Sequence, residues 1–207
     1  MKRKIKICGI TDPDNLIDII RLGPEFIGLI FYEKSPRFVT EISRMIPILS
    51  LPRQYKLIGV FVNESLDKIL EISIIARLDG VQLHGSESPE FCRECQNNGL
   101  FVIKAFGVGK EFNFEDIDIY QPNIDLFLFD SNSPGHGGSG NKFEWNVLSA
   151  YHGETPLLMS GGVSPDDQIT VKNSSFLGVD LNSRFEIKAG LKNIESLNYF
   201  ITKYRNE

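Results

Sequence analysis

Two segments of this chain end in side chains that move protons. Lys6-Ile7-Cys8-Gly9-Ile10-Thr11 puts a thiol at the end of the first apolar stretch, just before a turn, and Leu126-Phe127-Leu128-Phe129-Asp130 closes a later stretch with a carboxyl. A thiolate is a base and a carboxylic acid a proton donor, so the two facing one substrate would make a general base and a general acid. For Cys8 alone the plainer reading is a small buried apolar residue, as most free cysteines are.

Groups that could hold a ligand sit in comparable places. Ser160-Gly161-Gly162-Val163-Ser164 follows an apolar run and opens a helix-like stretch. Its glycines let backbone N–H groups approach an anion, and a helix N-terminus would add positive potential. Asn182-Ser183-Arg184 follows the last apolar run. Each is by itself an ordinary turn. Ser35-Pro36-Arg37-Phe38 offers a guanidinium fork on a proline-stiffened loop, suited to a carboxylate or simply solvated. His84, in Val81-Gln82-Leu83-His84-Gly85, either lines a site or is satisfied at a strand end.

Other patterns carry less. Gly135-His136-Gly137-Gly138-Ser139-Gly140 contains G-x-G-x-x-G, but Ser131 to Pro134 separate it from the strand end, and Asn141 follows where a phosphate-binding P-loop needs lysine. A mobile loop over a site fits it better. Cys92-Arg93-Glu94-Cys95 lies in a helix-like stretch without a second pair, so it reads as a packed helix face. His84, His136 and His152 show no chelating spacing, and no metal is expected.

These residues need a scaffold that brings distant strand ends together. Apolar, β-branched runs recur at 5–8, 26–31, 56–62, 80–83, 100–105, 124–130, 156–160 and 176–181. Helix-like stretches follow them at 14–22, 41–46, 66–77, 89–97, 112–120, 145–151, 165–172 and 194–203. Pro47 would end the second helix early. Asp12-Pro13, Ser65, Ser88-Pro89 and Ser164-Pro165 supply helix starts. Unbroken apolar runs such as Phe26-Ile27-Gly28-Leu29-Ile30-Phe31 suit parallel strands covered on both faces. Eight βα repeats predict an α/β fold, a single (β/α)8 TIM barrel over residues 1–207, with an open doubly wound sheet as the alternative. In such a barrel the loops after strands seven and eight form the recurrent phosphate site, which joins Gly161 and Gly162 to Asn182 and Ser183.

Composition narrows the class. The 207 residues are 42% hydrophobic and 24% charged, enough for a sizeable core without disulfides. A net charge of −5 argues against nucleic acid as a partner. Three cysteines make no disulfide framework and suit a reducing compartment. The basic start Met1-Lys2-Arg3-Lys4 is not followed by a signal-peptide core, and no run approaches membrane-spanning length, so a cytoplasmic protein without a membrane partner is expected.

Taken together the motifs resemble the phosphoribosylanthranilate isomerase family of tryptophan biosynthesis. The resemblance runs through Lys6-Ile7-Cys8-Gly9-Ile10-Thr11, Ser35-Pro36-Arg37, Gly59-Val60-Phe61-Val62-Asn63, Val81-Gln82-Leu83-His84-Gly85, Phe129-Asp130, Gly137-Gly138-Ser139-Gly140, Phe143-Glu144-Trp145, Ser160-Gly161-Gly162 and Gly178-Val179-Asp180. It implies a (β/α)8 barrel that carries out an Amadori rearrangement of N-(5-phosphoribosyl)anthranilate, with Cys8 as base, Asp130 as acid and Arg37 on the anthranilate. The substrate-binding set becomes Arg37, His84, Gly161, Gly162, Asp180, Asn182 and Ser183. In one place the chain departs from the family: its eighth loop runs Ser-Ser-Gly-Val-Glu, whereas here Asn182-Ser183-Arg184-Phe185-Glu186 puts an arginine in the glycine's place.

The reaction suits these residue types on its own terms. Opening a furanose ring asks for an acid, and the resulting iminium acidifies the neighbouring C2 proton, which asks for a base. The thiol would have to fall from about 8.5 toward neutrality. The carboxyl would have to be held protonated, by burial or by a nearby anion. The substrate is its own electron sink, so no cofactor is expected, and the expected partner is a phosphorylated small molecule, with the chain a monomer or homodimer. The alternatives are another phosphosugar barrel enzyme, either a metal-dependent epimerase or an indole-glycerol-phosphate synthase-like enzyme using Lys104, and a non-catalytic phosphate-ligand binding barrel.

Overall fold

Eight short apolar runs pair in chain order, and the last returns to the first. The computed structural model describes residues 3–109, 111–131, 145–169 and 174–206. Its parallel strands are β1 (Lys4–Cys8), β2 (Phe26–Ile30), β3 (Lys56–Phe61), β4 (Gly80–Leu83), β5 (Phe101–Val108), β6 (Leu126–Ser131), β7 (Leu157–Met159) and β8 (Phe176–Leu181). β1 pairs with β8, Lys6 opposite Asp180, so the barrel is closed and the open sheet is excluded.

Side chains alternate between the barrel interior and the layer under the helices. Ile5 and Ile7 on β1, Ile27 and Leu29 on β2, and Phe127 and Phe129 on β6 join the outer apolar layer. Phe26, Ile58, Ile103, Leu126, Leu128 and Leu158 fill the interior, and Cys8, Ile30 and Val60 form a small cluster nearer the strand ends. Even-numbered residues thus point inward on seven of the strands: Lys6 and Cys8, Phe26 and Ile30, Ile58 and Val60, Gln82, Leu128 and Asp130, Leu158 and the following Ser160, and Asp180. On β5 the parity is reversed, which matters for Lys104 below.

The early helices follow the expected caps. α1 (Pro13–Arg21) begins where Asp12 accepts the Asn15 N–H at 2.8 Å, with Pro13 in the first turn where no N–H is needed. α3 (Leu66–Ala76) and α4 (Pro89–Asn97) start at Ser65 and Ser88 in the same way. Between β2 and β3 the expected 41–46 helix is instead a 3₁₀ turn, Ile42–Arg44, followed by the short α2 (Ile46–Leu49). Pro47 lies in the first turn of α2 and does not interrupt it, because a first-turn N–H is unpaired in any case.

The later connections depart further. Phe114–Asn123 and Trp145–Ala150 are 3₁₀ segments and not α-helices. The first contains Pro122 and starts where the Asn113 side chain captures the Glu115 N–H. Of the expected 165–172 helix, Pro165 and Asp166 form a turn closed by Ser164 and Asp167, residues 167–169 are irregular, and 170–173 lie outside the described residues. The glycine-rich 135–140 segment and Phe143-Glu144 also lie outside them. After β8 comes an unexpected hairpin, β9 (Glu186–Lys188) with β10 (Leu191–Lys192), before α5 (Ile194–Asn206). No helix among the described residues is long and apolar enough to cross a membrane.

Candidate active site

At the C-terminal ends of the strands a pocket opens that is lined by Cys8, Ile30, Tyr32, Ser35, Arg37, Val60, Val62, Gln82, His84, Asp130, Ser131, Ser160, Gly161, Gly162, Val163, Asp180, Asn182, Ser183 and Arg184. Every site residue read from the sequence is on this wall. The barrel register brings them together: Cys8 ends β1, Asp130 is the penultimate residue of β6, and both point inward.

Room for the thiol comes from β2. Gly28 is paired with Cys8, and a Cβ on Gly28 would stand 2.6 Å from the Cys8 sulfur. Gly161 does the same for the acid: its φ of +88° suits only glycine, and a Cβ there would stand 2.9 Å from Asp130 Oδ1 and 2.6 Å from the Ser131 nitrogen.

The two titratable groups differ sharply in environment. Burial, reinforced by the nearby Asp180 charge, raises the Asp130 carboxyl from 3.8 to about 6, against the Ser131 N–H at 2.7 Å and Lys6, which pull it down. The requirement for a carboxyl held protonated by burial and an anion is therefore met in direction. Cys8 goes the other way from expectation. Burial pushes the thiol up, Lys6 and Lys192 pull it down, Asp180 adds to the rise, and the net direction is upward from 9.0. His84 extends the acid's surroundings, with Nε2 3.9 Å from Asp130 Oδ2 and Nδ1 2.8 Å from the Gln82 amide nitrogen. A Gln82 amide that donates to Nδ1 leaves the His84 proton on Nε2, toward Asp130.

Arg37 lines the pocket, yet most of its fork is already used. Nε lies 2.9 and 3.1 Å from the Glu186 carboxylate oxygens and Nη2 lies 2.7 Å from Oε2, leaving Nη1 without a hydrogen bond among the described residues. Glu186 also accepts from Lys192 Nζ at 2.7 Å, and Lys192 donates to Asn182 Oδ1 at 2.8 Å. Burial works to raise the Glu186 carboxyl, but Arg37 and Lys192 outweigh it and hold it below its usual value. This network, which ties the second loop to the eighth, was not read from the sequence. Its one hint there was Glu186, at the end of the eighth-loop motif.

On the expected phosphate side, Gly161 and Gly162 both have positive φ, so their amides run along the pocket wall in a conformation that side chains resist. The helix N-terminus expected behind them is replaced by a turn at 165–166 and irregular chain to 169, so no helix dipole contributes from the described residues there. Arg184 lines the same wall and brings a cation. Lys104 is not at the site. It faces outward from β5, with Nζ on the carbonyls of Leu83, Gly85 and Ala105 and 3.1 Å from Glu87 Oε2, so the lysine that favoured an indole synthase is structural. Cys92 and Cys95 are buried on α4, and burial pushes their thiols to about 11 and about 12, as a packed helix face requires.

The comparisons agree with this geometry. A profile of the N-(5'phosphoribosyl)anthranilate (PRA) isomerase family matches residues 5–203. An N-(5'-phosphoribosyl)anthranilate isomerase of Parabacteroides distasonis is 41% identical over 95% of this chain and 91% of its own. Among solved structures, the phosphoribosyl anthranilate isomerase of Thermotoga maritima superposes with a TM-score of 0.84 at 32% identity, covering 99% of this chain and 100% of that one. Another, solved in complex with reduced 1-(o-carboxyphenylamino)-1-deoxyribulose 5-phosphate, gives 0.80 at 29% identity, with 99% and 100% covered. With its closed barrel, its strand-end site and these relatives, the chain belongs to the N-(5'-phosphoribosyl)anthranilate isomerase family.

Proposed function

We propose that this chain converts N-(5-phosphoribosyl)anthranilate to 1-(2-carboxyphenylamino)-1-deoxyribulose 5-phosphate, with Cys8 as general base and Asp130 as general acid. The observation that carries the assignment is the convergence of an inward thiol from β1 and an inward carboxyl from β6, raised by burial, on one pocket. The related structure that holds the reduced product supports a ligand with a carboxyphenyl group at one end and a phosphate at the other.

Asp130 gives its proton to the furanose oxygen as the C1–O bond breaks, and the aryl nitrogen lone pair forms the iminium. The Cys8 thiolate takes the C2 proton, and the freed electron pair neutralises the iminium to give an enolamine. Loss of the C2 hydroxyl proton and gain of one at C1 give the ketone, and exchange with solvent restores both side chains. Gly161, Gly162, Asn182, Ser183 and Arg184 surround the phosphate. Asp180 stays beneath the sugar, held by Lys6. The decisive assay supplies phosphoribosylanthranilate and follows loss of its fluorescence. Tight binding of the product analogue without turnover would instead make this a binding barrel.

Arg37→Ala is expected to raise KM by about tenfold or more, since a charge-assisted hydrogen bond contributes about 1.5–3 kcal/mol, while kcat holds if the contact is equal in ground and transition states. Steady-state kinetics check it, and unchanged KM and kcat would remove Arg37 from the substrate. Treatment with EDTA is expected to leave turnover intact, because the substrate's own iminium is the electron sink. Activity lost to chelator and restored by a divalent ion would move the reading to a metal-dependent epimerase.

A further inference from the structure

Lys6 is a wholly buried lysine in the middle of β1, two residues before Cys8 and on the same inward face. Its cross-strand neighbour is Asp180, whose Oδ1 lies 2.9 Å from Lys6 Nζ and whose Oδ2 accepts from Ser160 Oγ at 3.3 Å. Such a pair gives up the hydration of two charges, and apolar side chains of the same volume often do as well for stability. Each end of this pair, however, meets a titratable group of the pocket. The ammonium, on the same inward face of β1 two residues before Cys8, favours the ionised form of its thiol. The carboxylate shares the pocket wall with Asp130, and Ser160-Gly161 bridges them: Ser160 touches Asp180, and Gly161 packs against Asp130.

We propose that Lys6–Asp180 is a positioning pair whose ammonium favours the thiolate of Cys8 while its carboxylate keeps the proton on Asp130. The inference rests on the roles given to Cys8 and Asp130 above. Base and acid need opposite help, and one dipole of buried charges, pointing from Asp180 to Lys6, supplies both. The groups facing Cys8 are Lys6 on β1, Asp180 on β8 and Lys192 on β10, the last already engaged by Glu186 and Asn182. Asp130 is faced by Asp180, Lys6, the Ser131 N–H and His84. Lys6 pulls down the pKa of both working groups and Asp180 pushes both up. Deleting either charge therefore moves both groups together, upward without Lys6 and downward without Asp180.

The test measures the pH dependence of Cys8 alkylation by iodoacetamide in the full-length protein, with Cys8→Ser as the blank for Cys92 and Cys95, alongside kcat/KM against pH. Lys6→Met is expected to move the alkylation midpoint up by about one unit, a roughly tenfold slower reaction at neutral pH. Both limbs of the kinetic profile move up with it. Lys6→Arg restores the midpoint, and Asp180→Asn moves the midpoint and both limbs down. A folded Lys6→Met with an unmoved midpoint overturns the proposal. Should Lys6→Met not fold, the near-isosteric Asp180→Asn decides alone, and unmoved limbs and midpoint overturn the proposal, leaving the pair as ordinary structure. A midpoint that shifts while the kinetic limbs stay fixed upholds the hold on the thiol and rejects Cys8 as the base.

Discussion

Replacing Cys8 by serine is expected to lower kcat by about 10²–10⁴-fold, the usual contribution of a general acid–base group. Serine keeps the shape and leaves the fold alone. The thiol packs in a small cluster with Ile30 and Val60, flanked by Tyr32, and Gly28 leaves space that a hydroxyl also fits. What it lacks is an accessible anion, because its proton is held far more tightly than that of even a thiol raised by burial. KM for the substrate and affinity for the product analogue should stay within about threefold, since uniform binding is untouched. A variant with wild-type kcat would leave Cys8 as no more than part of the wall.

The barrel was legible because many of its strands are unbroken apolar runs, such as Phe26–Ile30, which suit sheets covered on both faces. Gly80–Leu83 and Phe176–Leu181 coincide with the runs that mark them, and the other strands shift by a few residues at their ends. The largest extension is β5, which runs on to Val108 because β6 offers it partners as far as Ser131, a long-range cause with no local sign. The same holds for the hairpin after β8. Strands of three and two residues are too short for any pattern to announce, and Gly190, at φ +85° against Thr11, is what turns the chain between them.

Within the site the same contrast appears. Cys8 and Asp130 could be found because each ends an apolar run, and the loops after β7 and β8 because barrels place phosphate there. Lys6 reads locally as no more than a polar residue in a short strand. Its burial depends on Asp180, 174 residues away in the chain, and on the register that sets them opposite each other. The pairing of Arg37 with Glu186, 149 residues on, is equally invisible to local spacing. Lys104 shows the opposite error. It sits near a strand end, as a catalytic lysine would, but strand parity turns it outward onto Glu87. Residue type and proximity to a strand end select candidates, while the two-residue period of the strand decides which of them reach the pocket.

Asp130→Asn should be as damaging as Cys8→Ser, by about 10²–10⁴-fold in kcat, because an amide cannot protonate the ring oxygen. Stability should move the other way. A carboxyl held at about 6 in the fold and near 3.8 in the unfolded chain favours folding fully below the lower value and loses that contribution as pH rises through the upper one. Above pH 7 the wild type therefore carries a destabilisation on the order of 3 kcal/mol that asparagine, which never ionises, lacks. Urea midpoints should place the variant above wild type at pH 8, with the difference closing toward pH 4. The same ordering shapes the wild-type kcat/KM profile. With Asp130 near 6 and Cys8 raised above its usual value, the pair titrates as a bell whose active form, thiolate with carboxylic acid, is the minor protonation state between the limbs. The acidic limb near 6 belongs to Asp130 in this order, so the residual activity of Asp130→Asn should have no such limb. A limb near 6 that survives the substitution, or a kcat loss below about fivefold, would assign ring opening to another group, and His84 beside Asp130 is the one to test next.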